Sequence, residues 1–170
     1  SGRVTSLFEH MHLIMSRDGG HTWEDEPQHV DYAPFGSSLS ENKCLELPGG
    51  RILLPFDNVA PEEGEAKVAA VLKSDDKGES WQYLSTICAQ DPESGLPAWP
   101  CEPALARVAS GRIVCVTRSL TRSKPPYGGF LWQSYSDDDG QTWSDPWETL
   151  IPGQAKGELL VLADGRLLLR

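Results

Sequence analysis

Three stretches of this chain share one eight-residue pattern: Ser16-Arg17-Asp18-Gly19-Gly20-His21-Thr22-Trp23, Ser74-Asp75-Asp76-Lys77-Gly78-Glu79-Ser80-Trp81 and Ser136-Asp137-Asp138-Asp139-Gly140-Gln141-Thr142-Trp143. Each reads Ser-x-Asp-x-Gly-x-[Thr/Ser]-Trp. The copies recur about every 60 residues, near the period of a β-propeller blade and far from that of a helical solenoid repeat. An Asp followed two positions later by Gly suits a tight turn, because Asp hydrogen-bonds its own local backbone and Gly takes positive φ without steric cost. The closing Trp offers a large apolar face for a neighbouring unit and an indole N–H for an acceptor at its edge. The repeated residues Ser16, Asp18, Gly20, Thr22 and Trp23, Ser74, Asp76, Gly78, Ser80 and Trp81, and Ser136, Asp138, Gly140, Thr142 and Trp143 are therefore read as scaffold. Catalytic acids and calcium ligands are the less economical reading of these Asp residues.

A second pattern recurs between the first: Leu45 to Leu54, Ala106 to Cys115 and Val161 to Leu169 each hold an apolar run, a turn ending in Gly, an Arg and a second apolar run. These predict hairpins with two-residue turns. Their nearly continuous apolar strands suit sheets covered on both faces. One repeat then runs strand A, Gly-Arg turn, strand B, variable loop, strand C, Ser-x-Asp turn, strand D, which is a four-stranded antiparallel blade. The expected all-β chain divides into a blade end at 1–31, blades at 32–90 and 91–150, and the start of another at 151–170, as a fragment of a longer propeller. Both kinds of repeated turn fall at one end of each blade, and the variable connections at the other.

Composition removes several function classes. A net charge of −10 with 15 dispersed Lys and Arg disfavours nucleic acid and anionic membrane as partners. No apolar run approaches the length that crosses a bilayer as a helix. The 16 Gly and 13 Pro, scattered in small clusters, fit many short strands. Cys44, Cys88, Cys101 and Cys115 lack the C-x-x-C spacing of a structural zinc site. Cys44 and Cys115 are expected in the core, and Cys88 and Cys101 bracket a Pro-Gly loop where they are free to pair in an oxidising compartment. His10 and His12 share a strand face, the minimum for a metal, although an exposed pair of imidazoles is the commoner arrangement. No cofactor or metal is expected. Localisation stays open, with secreted or periplasmic placement compatible with the composition.

Register selects candidate site residues. A two-residue turn at Ser110-Gly111 sets Glu102 nearly across from Arg118 at the variable end, and the same offsets give Glu41 with Asp57, and Lys156. Side chains at these positions differ while the turns repeat, the pattern of a scaffold that carries a site. A cross-strand ion pair of small worth is the plainer alternative. Trp99 and Tyr127 are aromatic residues near these positions, Asp57, Asn58 and Arg122 are placed to line a pocket, and Arg122 and Lys124 border a Pro-Gly rim.

The Ser-x-Asp-x-Gly-x-Thr-Trp motif resembles the Asp box of sialidases and related BNR-repeat proteins. The stretch Glu102 to Arg118 resembles the sialidase segment that begins with the active-site Glu and ends with one of three substrate-binding Arg residues. The resemblance implies a six-bladed propeller and a retaining exo-α-sialidase, in which a Tyr assisted by a Glu attacks the anomeric carbon and an Arg triad clamps the sugar carboxylate. Carried over, Glu102 polarises the nucleophile and Arg118 is one clamp member; around such a site Trp99 and Tyr127 are placed to stack on the sugar ring and Asp57 to contact substrate. Sialylated glycan or another carbohydrate is the implied partner, along with the remaining blades. The family's Arg-Ile-Pro segment is absent here, and neither Tyr127 nor Tyr135 fits the nucleophile. The acid Asp, the Tyr and the other clamp residues are expected outside this chain. A non-catalytic BNR propeller that binds glycan or protein, and a different glycosidase using paired carboxylates such as Glu41, Asp57 and Glu102, are the alternatives.

Overall fold

The computed structural model describes residues 11–30, 37–39, 43–60, 66–91, 97, 99–119, 129–153 and 156–170, and their regular structure is all strand. The strands are β1 (Met11–Leu13), β2 (Gln28–Val30), β3 (Ser37–Leu39), β4 (Leu45–Glu46), β5 (Ile52–Ala60), β6 (Val68–Ser74) and β7 (Gln82–Ala89). They continue as β8 (Pro100–Arg107), β9 (Ile113–Ser119), β10 (Phe130–Ser136), β11 (Trp147–Pro152), β12 (Leu159–Val161) and β13 (Leu167–Leu169). Four antiparallel sheets result, ordered β1-β2, β3-β5-β6-β7 with β4 also on β5, β8-β9-β10-β11, and β12-β13. The second and third are complete four-stranded propeller blades in which the innermost strand of the second is interrupted. The last strand of the third runs to Pro152.

Alternation along β5 explains how neighbouring blades adhere. Leu53 points into a core with Leu47, Val71, Ile87, Leu105, Ile113 and Cys115, between the second and third sheets. Leu54 and Phe56 point the opposite way, onto Met11, Val30, Ala70 and Leu72, between the first and second. The inner strands β6 and β9 are buried almost throughout, as their apolar runs require. Leu150 is 91% exposed, and Leu160 and Leu168 are also exposed, so the face at β11 to β13 has no apolar cover among the described residues.

The Gly-Arg hairpins close with one more loop residue than the two-residue turn expected. Leu47 N–H donates to Arg51 O at 2.8 Å, Val108 N–H to Arg112 O at 2.9 Å and Leu162 N–H to Arg166 O at 2.8 Å, which leaves three residues in each loop. The last of them, Gly50, Gly111 or Gly165, has φ of 88°, 95° or 86°. A turn followed by a left-handed residue matches the twist of the flanking strands, and glycine takes that conformation at little cost.

The three Ser-x-Asp turns share one hydrogen-bond network. Ser Oγ donates to Asp Oδ1, and the amide N–H of Gly donates to the same Ser Oγ. The amide and hydroxyl of Thr22, Ser80 or Thr142 donate to the two carboxylate oxygens. The hydroxyl and amide of Thr22 hold Asp18 down at about 2, and those of Ser80 hold Asp76 down at about 2. Burial pushes Asp138 up, but the Thr142 and Ser136 bonds outweigh it and the net direction is down. Each carboxylate is thus consumed by its own turn.

The three Trp residues differ. Trp143 donates its indole N–H to Ser85 Oγ of the preceding sheet at 3.0 Å, and that hydroxyl donates to Gly140 O at 2.5 Å. Trp81 packs against the core beside Met11 and Val30, but its buried indole nitrogen has no partner among the described residues. The anchoring expected of Trp23 is not seen: it is 57% exposed, with no sheet packed against it among the described residues.

In the two four-stranded blades the Arg that follows the hairpin turn ties the two repeated turns together, whereas Arg166 bonds Asp164 of its own turn. Arg51 Nε donates to Asp75 Oδ1 at 2.6 Å, and Arg112 forks onto both Asp137 oxygens at 2.7 and 2.8 Å. These bonds put the repeated turns at one end and leave the variable connections at the other.

Candidate functional site

At the variable end, β8 and β9 pair Cys101 with Arg118 and then Ala104 with Val116, so Glu102 and Pro103 together oppose Thr117. This is a β-bulge, and it puts Glu102 at φ 53°. A non-glycine residue in the left-handed region costs about 1–3 kcal/mol and persists where its surroundings fix it. Here Asp57 supplies the fixing contact. The Glu102 N–H donates to Asp57 Oδ1 at 2.8 Å, across the boundary between the second and third sheets.

The bulge aims the Glu102 side chain at its cross-strand neighbour. Arg118 Nη1 donates to Glu102 Oε1 at 3.1 Å, with both side chains mostly buried. Arg118 Nε is buried with no hydrogen-bond partner among the described residues. The arrangement offers a carboxylate and a guanidinium on adjacent strands, with a second carboxylate behind them. Such a set can polarise a hydroxyl and hold an anionic ligand.

Asp57 is 5% exposed, so its oriented role is to hold the Glu102 backbone. Across the ladder it faces Leu39, not the residue at 41, because the strand that pairs with β5 is broken and the register shifts between β4 and β3. Glu41 lies outside the described residues, as do His10, Arg122, Lys124 and Tyr127. Asn58, expected in the pocket, is fully buried and spends its side chain on the backbone: Oδ1 accepts from Val68 N–H at 2.7 Å and Nδ2 donates to Ala66 O at 2.8 Å.

Trp99 lies just before β8. The Lys67 ammonium sits 3.7 Å from its ring centroid, so one face of the indole is already covered. Lys67 carries no signal in the sequence, since its contact partner is 32 residues away and only the fold joins them. Burial pushes its ammonium pKa down.

The remaining candidates fall elsewhere. Cys44 is exposed just before β4, not in the core, because the strand it was expected to join begins one residue later. Cys88 and Cys101 are buried thiols not joined to each other: Cys88 Sγ lies 3.8 Å from Thr117 Oγ1, and Cys101 Sγ donates to Arg118 O at 3.6 Å. Burial pushes the Cys88 thiol up to about 12 and Cys115 well above the ordinary range. His12 stacks edge-on against His29 across β1 and β2, with ring centroids 4.4 Å apart. Among the described residues no three His, Cys, Asp or Glu side chains are grouped as metal ligands, and no helix is long and apolar enough to cross a membrane. An apolar cavity lined by Leu13, Met15, Ile52 and Trp81 lies between the first two sheets at the repeated-turn end, away from Glu102.

The structure is similar to several solved propellers. A protein of unknown function from Dyadobacter fermentans shares 22% identity at a TM-score of 0.75, over 92% of this chain and 42% of that one. The Hadza microbial sialidase Hz136 shares 19% at 0.68, over 94% and 30%. The α-L-arabinanase of Penicillium chrysogenum shares 18% at 0.68, over 95% and 48%. The chain thus spans less than half the length of each. No curated protein matches it in sequence. A family model described as BNR repeat-like domain matches residues 3–170, nearly the whole chain and all three turn motifs. With blades built as the repeats require and glycosidases among its structural relatives, the chain belongs to the BNR repeat-like domain family.

Proposed function

We propose that this chain is part of an exo-α-sialidase-like glycoside hydrolase that releases a terminal acidic sugar from glycoconjugates. The observation that carries the reading is the Arg118–Glu102 pair at 3.1 Å, aimed by a bulge that Asp57 holds from the next blade. Arg118 presents a planar guanidinium suited to a sugar carboxylate. On substrate binding Arg118 turns from Glu102 to that carboxylate, and Glu102 accepts the proton of a Tyr hydroxyl whose oxygen attacks the anomeric carbon. An Asp outside the described residues protonates the departing glycosidic oxygen. Asp57 acts as a positioning residue, Tyr127 contacts the terminal sugar, and Trp99 stands outward of it.

The Asp57 carboxylate bonded to the Glu102 backbone is compatible with a second reading, a glycosidase for another sugar that pairs Glu102 with a further carboxylate, and a solved arabinanase has a similar fold. One titration separates them. A transition-state-like unsaturated sialic acid is titrated calorimetrically into the full-length protein, wild type and Arg118→Lys. Binding that falls by about tenfold or more in the variant supports a carboxylate clamp. Undiminished binding in Arg118→Lys, or no binding in the wild type, overturns it.

A further inference from the structure

The strongest feature outside the Glu102–Arg118 pair is a cation without an anion. The chain carries a net charge of −10, yet Lys67 makes no ion pair among the described residues. Its position is held closely all the same. Asn58 binds the backbone on both sides of it, at Ala66 O and Val68 N, and Gln90 N–H donates to Lys67 O at 2.8 Å. A long flexible side chain on an exposed loop ordinarily keeps its entropy. Here a fully buried Asn fixes the flanking backbone, and an indole face receives the ammonium at 3.7 Å.

Register gives its place relative to the candidate site. Asp57 pairs with Ala69 in the β5–β6 ladder, so Lys67 lies two residues further toward the variable end, about 7 Å along the strand. Trp99 precedes Glu102 by three residues and extends in the same direction. The Lys67–Trp99 pair therefore stands further toward the variable end than Glu102 and Arg118.

We propose that Lys67, braced on Trp99, is a specificity-determining anion position at the rim, which binds an acidic group on the part of the glycan that follows the terminal sugar. The inference rests on the proposed function, since it assigns the terminal sugar to Arg118. The indole occupies one side of the ammonium, and no acidic side chain pairs with it among the described residues. A partly desolvated cation of this kind favours carboxylate or sulfate over hydroxyl groups. The favoured ligand class is a glycan with at least two consecutive acidic residues.

Equilibrium binding of α2,8-linked disialic acid and of sialyllactose to the full-length protein tests this, with hydrolysis blocked by Glu102→Gln in every sample. The wild-type rim is expected to prefer disialic acid. Lys67→Gln is expected to lower that affinity about tenfold more than it lowers affinity for sialyllactose, and Lys67→Arg to retain the preference. Trp99→Leu, which removes the brace but keeps the charge, is expected to lose part of it. Equal losses for both sugars in Lys67→Gln, or no loss, overturn the rim position. Binding of sialyllactose with no preference for disialic acid overturns it alone, whereas binding of neither sialoside overturns the proposed function together with it.

Discussion

Asp57 in one blade accepts the backbone N–H of Glu102 in the next at 2.8 Å, so the residue that carries the candidate chemistry is held by a carboxylate from a separate sheet. The bond takes the place of a strand ladder contact that the bulge forgoes. It couples the stability of the blade boundary to the geometry of the site.

Removing that acceptor strands a buried amide. Asp57→Ala is expected to destabilise the fold by about 1.5–3 kcal/mol, the usual cost for a hydrogen bond to a charged group. Asp57→Asn, which keeps an oxygen acceptor, is expected to cost less. Denaturant unfolding of the two variants checks the order, and equal stability of both with wild type would remove Asp57 from this role.

The left-handed backbone at Glu102 makes a separable prediction. Glu102→Gly and Glu102→Ala both lose the contact with Arg118, but glycine alone relaxes at φ 53°. The Gly variant is expected to be more stable than the Ala variant by about 1 kcal/mol. Thermal unfolding midpoints of the pair report the difference directly, and both variants should lose any hydrolytic activity.

Acid should loosen the repeated turns. Asp18 and Asp76 sit at about 2 in the fold, below their ordinary value, so their contribution is present above the unfolded value near pH 4 and is lost as pH falls through 2. The unfolding midpoint, followed from pH 6 to pH 2, is expected to fall mainly below pH 4. Asp76→Asn is expected to start lower and decline less steeply over the same window.

Thiol chemistry should separate one cysteine from three. Cys44 is exposed, while Cys88, Cys101 and Cys115 are buried, and burial holds Cys88 near 12. A disulfide-exchange reagent at pH 8 is expected to modify Cys44 alone in the native protein and the rest only after denaturation. Fast modification of a second thiol would contradict the packing between β7, β8 and β9.

The blades were legible in the sequence because their determinants are local. Ser74, Asp76, Gly78 and Ser80 satisfy one another within seven residues, and the hairpin glycines fix their own turns. Glu102 and Arg118 were legible because a hairpin carries register outward from its turn. What escaped depends on contacts between distant segments. The bulge at Glu102 needs Asp57, 45 residues away. The same is true of Lys67 over Trp99, and of Asn58, whose amide reads as a polar pocket group until the backbone it clamps is seen. Cys44 adjoins the apolar run that begins at Leu45 and reads as part of it, but β4 starts one residue later and leaves it exposed.

The ties from Arg51 to Asp75 and from Arg112 to Asp137 have an evolutionary consequence. Each blade secures its alignment at one extremity, so lengthening or rewriting the β5–β6 or β9–β10 connection does not shift the strands that carry it. Insertions there add only the slowly growing entropy of a longer loop. Such an architecture separates the segments that set ligand preference from those that hold the blade together.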